Sequence, residues 1–126
     1  MAVILGFLRR VVVFLTALVS LLGIETTTVT LELYSNPASG YEWEYNFDKS
    51  GILTVSDSYY TPDPASILTG RGGGKTHFVL KSLGSGTVRV TFEYVKKTVS
   101  ERIVASTYVY TYNVSTDGII SLYSIQ

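Results

Sequence analysis

Tyr41-Glu42-Trp43-Glu44-Tyr45-Asn46-Phe47 alternates an aromatic side chain with a charged or amide one at every step. A period of two sends the four rings to one face of an extended chain and the polar groups to the other, so the segment reads as a half-buried β-strand. Upstream, Val29, Leu31 and Leu33 alternate with Thr28, Thr30 and Glu32 in the same way. Downstream, Val88, Val90, Phe92 and Tyr94 alternate with Arg89, Thr91 and Glu93. Ile52 to Tyr60 reads as one short strand or two, and Phe78 and Leu80 belong to another. Thr107 to Val114 is dense in β-branched residues and tyrosine, and Ile119 to Ile125 supplies a last strand. Turn chemistry separates these runs at Ser35–Gly40, Asp48–Gly51, Gly84–Gly86 and Asp117-Gly118, with a polar loop at Lys96–Glu101. Thr61-Pro62-Asp63-Pro64 lacks two ladder donors, which predicts a long loop from Thr61 to Gly74. No helical period is visible after residue 24. The pattern predicts an all-β domain, a sandwich with its loops at two ends.

The 126 residues make one domain, long enough to bury a core without covalent staples. There is no cysteine, which excludes disulfides, thiolate metal ligands and a thiol nucleophile. Ten basic and ten acidic side chains balance with no basic stripe, so nucleic acid is not an expected partner. Residues 1–24 differ from the rest. Arg9 and Arg10 precede an apolar run from Val11 to Ile24, the order of a secretory signal peptide. The run falls short of the roughly 17–25 residues of a membrane span. Signal peptide, membrane anchor and a first strand of the domain are all open for this segment. The first two put residues 25–126 outside the cytoplasm: secreted, periplasmic or membrane-anchored. Any membrane contact is expected through residues 1–24 alone.

Sites for chemistry are few. Thr69-Gly70-Arg71-Gly72-Gly73-Gly74-Lys75-Thr76 imitates a phosphate-binding loop, but the first glycine is missing and the residues after Lys75 read as strand. Without a helix there is no row of aligned amides to hold phosphate. His77 is the only histidine and has no thiol to activate. Glu42 and Glu44 share a strand face, as solvated carboxylates commonly do. No spacing suits a metal. The sequence predicts neither an enzyme nor a cofactor.

Two loops of unusual composition remain: Asn36-Pro37-Ala38-Ser39-Gly40-Tyr41, followed by Trp43, and Gly70-Arg71-Gly72-Gly73. In order and spacing they resemble the chagasin family of cysteine-protease inhibitors, whose hallmarks are an Asn-Pro-Thr-Thr-Gly-Tyr/Phe-x-Trp loop and a Gly-x-Gly-Gly loop. A third hallmark, Arg-Pro-aromatic, is replaced here by Lys96, Lys97 and Thr98, which keeps a charge and loses the proline and the ring. The family's first strand has no evident counterpart unless residues 11–24 supply it.

The resemblance implies an immunoglobulin-like β-sandwich with three binding loops at one end, and a reversible inhibitor of papain-like cysteine proteases. Asn36, Pro37, Ala38, Ser39, Gly40 and Tyr41 would enter the cleft. Gly70, Arg71, Gly72 and Gly73 would meet one wall, and Lys96, Lys97 and Thr98 the other. Residue chemistry agrees. Pro37 restricts Asn36, an Asx-type bond ties the loop to itself, Ala38 and Ser39 are small, and Gly40 permits a positive φ. Trp43 is expected in the core between the sheets. The rival expectation is an immunoglobulin-like interaction module of the cell envelope without inhibitory activity, favoured by the altered Lys96–Thr98 segment.

Overall fold

The structure, a computed structural model, describes residues 27–126. Seven strands follow one another: β1 (Thr28–Ser35), β2 (Glu42–Phe47), β3 (Leu53–Pro62), β4 (Gly74–Ser82), β5 (Gly86–Lys97), β6 (Arg102–Val114) and β7 (Ile120–Ile125). They form two antiparallel sheets, one ordered β1-β4-β3 and the other β2-β5-β6-β7. The chain crosses between sheets from β1 to β2, β2 to β3 and β4 to β5, giving an immunoglobulin-like β-sandwich. Whether residues 11–24 add a first strand, and whether residues 1–24 export or anchor the chain, lies outside the described residues.

The alternation seen in the sequence makes the core. Val29, Leu31 and Leu33 from β1 and Phe78 and Leu80 from β4 are buried against Val88, Val90 and Phe92 from β5. Leu53 of β3, Tyr110, Tyr112 and Val114 of β6 and Ile120 and Leu122 of β7 complete it. Rings bridge the sheets: Phe78 lies 5.1 Å from Phe92 and 5.9 Å from Tyr45, centroid to centroid. Such tilted and edge-on ring pairs add to what area burial alone provides.

Four expectations need correction. The loop expected at Thr61–Gly74 is mostly ordered structure. β3 runs through Pro62, where an edge strand tolerates a missing N–H at its end. Helix α1 (Pro64–Thr69) follows, with Pro64 in its first turn and Gly70 ending it in the left-handed region at φ 70°. Lys96 and Lys97 belong to β5, and the hairpin loop is confined to residues 98–101. β6 starts at Arg102 and not near Thr107, because a bulge opposite Tyr94/Val95 interrupts the alternation. Trp43 is only half buried and packs against the rim of the core.

Candidate functional site

Residues 36–41 join β1 to β2 across the sandwich and bond mainly to themselves. Pro37–Ser39 makes one 3-10 turn between Asn36 in extended conformation and Gly40 at φ 83°. Asn36 Oδ1 accepts from Ala38 N at 3.2 Å, and Asn36 O accepts from Ser39 N at 3.0 Å and Ser39 Oγ at 2.6 Å. Gly40 N donates to Pro37 O at 3.3 Å, and Tyr41 N donates to Ser39 Oγ at 3.3 Å. One further bond comes from far along the chain: Asn36 N donates to Tyr94 Oη at 2.7 Å. Pro37, Ala38 and Gly40 are exposed at the tip.

A ladder of rings supports this turn from below. Tyr41 stacks on Tyr94 at 5.2 Å, Trp43 lies 4.7 Å from Tyr94, and Tyr108 lies 5.9 Å from Trp43. The Trp43 indole N–H donates to Tyr34 O at 2.9 Å, linking β2 back to the end of β1.

The glycine loop lies beside the first. Ser66 Oγ in α1 donates to Gly73 O at 2.7 Å, and Asp63 N donates to the same oxygen at 3.0 Å, so the helix fastens the loop at its base. Gly72 has φ 74°, and a Cβ there would stand 2.8 Å from Asn36 Oδ1 and 3.7 Å from Ala38 Cβ. The two loops therefore touch, and only a residue without a side chain fits at the contact.

The third segment closes against the first loop from the other side. A Cβ on Gly40 would lie 3.3 Å from Lys96 Cε, and Lys96 Nζ sits over the Tyr41 ring at 5.8 Å. Lys97 differs. Its ammonium pairs with Glu44 at 2.8 Å on the outer sheet face, where Arg102 also meets Glu44 at 2.7 Å and Glu93 at 3.0 Å. The Lys97 and Arg102 hydrogen bonds hold the Glu44 carboxyl below its usual range, and Glu44 raises both cations. Thr98 closes the hairpin, its N donating to Glu101 O at 2.9 Å and its Oγ1 accepting from Glu101 N at 3.1 Å.

Asn36–Tyr41, Gly70–Gly73 and Lys96 thus form one contiguous end of the molecule. A sequence profile described as the chagasin family of peptidase inhibitors matches residues 25–114, most of the chain and all three segments. The chain belongs to the chagasin family. No curated protein sequence matches it. Among solved structures, a cysteine protease inhibitor from Entamoeba histolytica is similar in fold, with TM-score 0.57 and 19% identity over 67% of this chain and 75% of that one.

Elsewhere, this chagasin-family chain holds His77 on the outer face of the three-stranded sheet. Thr61 Oγ1 lies 2.7 Å from Nε2, Glu32 Oε2 lies 3.3 Å from Nδ1, and the Tyr59 ring stacks at 4.5 Å. Hydroxyl, imidazole and carboxylate occur in series on this outer sheet face. Lys75 lies in β4, so the phosphate-loop imitation ends in strand.

Sequence reasoning missed the parts that hold the loops. Tyr94 reads as a core ring, yet its hydroxyl braces Asn36. Ser66 reads as a loop residue, yet its hydroxyl fastens Gly73. A polar group on a buried ring at the end of a strand was the available signal for Tyr94, since such a group seeks a partner.

Proposed function

We propose that this protein is a reversible, non-covalent inhibitor of papain-like cysteine proteases. Asn36–Tyr41 fills the active-site cleft, Gly70–Gly73 lies along one wall and Lys96–Thr98 faces the other. The observation that carries this reading is the self-bonded turn at Asn36–Gly40, seated directly against Gly72 and Lys96. Proteases hold substrates extended. Here Ser39 N and Gly40 N are already engaged by Asn36 O and Pro37 O, so the tip does not offer the extended backbone that cleavage requires. A loop ordered before binding loses less entropy on association, which favours affinity. An interface of this kind buries about 1,600 Å² in total. Family membership and the related fold support the same reading.

The test is residual activity of papain and cathepsin L after addition of the full-length protein. Inhibition that is reversed on dilution, with the inhibitor recovered intact, is the expected result. Unchanged activity of both enzymes with inhibitor at about 10 μM rejects the proposal.

A second reading, a non-inhibitory module of the cell envelope, is favoured by one observation: the Lys97 ammonium is committed to Glu44 on the outer face. Replacing Thr98 by Trp restores a ring at the hairpin tip. A large gain in inhibition identifies a weakened inhibitor, and the absence of any inhibition before and after favours the module.

For residues 1–24 we propose an export or anchoring role. Thr27 O accepts from Ser82 N at 2.7 Å, at the end of the sandwich away from the loops. A tether entering there leaves the wedge facing outward. N-terminal sequencing of exported protein tests whether the segment is removed.

A further inference from the structure

The outer face of the four-stranded sheet carries a second concave feature, at the end remote from the loops. Asp48 follows β2 and clasps β5: its N donates to Arg89 O at 3.0 Å, and its Oδ1 accepts from Arg89 N at 2.8 Å. Lys49 Nζ donates to Thr87 O at 3.0 Å. Across the sheet, a bulge between Thr111 and Tyr112 makes Tyr123 of β7 the unpaired residue, and the Tyr123 side chain stands 72% exposed. Bulges of this kind re-aim a side chain. Between the Asp48-Lys49 turn and Tyr123 runs an open groove of about 600 Å³, floored by Thr87, Arg89, Thr111 and Asn113. That volume lies within the range of small-ligand sites.

The lining is one-sided in chemistry. Among the described residues the Arg89 guanidinium has no ion-pair or hydrogen-bond partner. Lys49 brings a second cation. Thr87 Oγ1 donates to Asn113 Oδ1 at 3.2 Å, which leaves the Asn113 amide nitrogen as a further donor in the groove lining. Asp48 is the one carboxylate, and one of its oxygens is occupied by Arg89 N. Donors and positive charge therefore exceed acceptors and negative charge, and the one large apolar surface is the flat Tyr123 ring.

We propose that this groove binds an acidic saccharide of the uronate type. The carboxylate meets Arg89, whose planar fork suits it, with Lys49 alongside. The apolar face of the sugar ring lies on Tyr123, and ring hydroxyls meet the hydroxyls and amide of the floor. An inorganic anion has no use for the ring, and an apolar peptide finds a single hydrophobic contact. Seven strand steps along β5 separate Arg89 from Lys96, roughly 24 Å. A saccharide bound here leaves the loop end clear, so the chain is able to sit on an acidic polysaccharide with its three loops free.

The test is a ¹H–¹⁵N titration of the full-length protein with digalacturonate, with galactobiose as its uncharged counterpart and with sodium sulfate. Digalacturonate is expected to shift Thr87, Arg89, Asn113 and Tyr123 with a dissociation constant of about 1 mM, and galactobiose to bind at least about tenfold more weakly. Arg89→Gln and Tyr123→Ser, both at exposed positions, are each expected to weaken digalacturonate by about tenfold with the remaining spectrum preserved. No shift at about 20 mM digalacturonate overturns the proposal. Sulfate matching digalacturonate at equal concentration overturns it too, as does wild-type affinity in either variant.

Discussion

Tyr94 shows how one side chain serves both core and loop. Its ring packs against both Tyr41 and Trp43, and its hydroxyl accepts the Asn36 N–H. Tyr94→Phe keeps the ring and removes the acceptor, leaving a half-buried N–H without its partner. The expected loss is about 1–3 kcal/mol of folding stability, measured by urea denaturation. A several-fold weaker inhibition constant against papain is expected with it, because the turn loses its anchor to β5. An unchanged constant would mean that the local bonds of Asn36 and Ser39 hold the turn unaided. The local half of this bracing was legible in the sequence: Pro37 beside Asn36 announced a stiff Asx turn, and the Oδ1 bond to Ala38 N is present. The tyrosine half was not, because the bond spans 58 residues and no short-range pattern encodes it.

At the scale of elements, the β5–β6 hairpin is tied to β2 by Glu44, Lys97, Arg102 and Glu93. Lowering of the Glu44 carboxyl has a definite sign. Its stabilising contribution is complete above the ordinary carboxylate range and is lost as pH falls through the lowered value. The raised Lys97 works at the other limit: its contribution is complete below the ordinary lysine range and is lost as pH rises through the raised value. Glu44→Gln is therefore expected to lower the melting temperature at pH 7, with the difference from wild type vanishing in strong acid and shrinking in high salt. Thermal melts across pH and salt check this. The same hairpin shows where reading by element fails. Alternation located β2 and the body of β5 because apolar side chains recur without a break at every second position of both. The bulge near Val95 shifts the inside–outside order, and β6 looked shorter than it is. Helix α1 has six residues, less than two turns, so no hydrophobic period had room to appear between Pro62 and Gly70.

For the whole molecule, the two sheets depend on rings that meet at Phe92, which is fully buried and contacts Tyr45, Phe78 and Tyr110. Phe92→Ala is expected to destabilise the fold by about 3–5 kcal/mol, a large share of the roughly 5–15 kcal/mol typical of a domain. The midpoint of a urea melt reports the change. Inhibition per folded molecule is expected to hold, since Phe92 reaches none of the three loops. The sandwich class was legible because most strands keep one wet and one dry face. The convergence of the loops at one pole was legible only through the order of two motifs, since no local rule says which ends of a sandwich meet. Trp43, the single tryptophan, stands one ring away from the tip and touches Tyr94 directly. Nature has thereby fitted the chain with an internal fluorophore: its emission on heating or in denaturant would reveal whether the wedge loosens before the rest melts, without any dye attached.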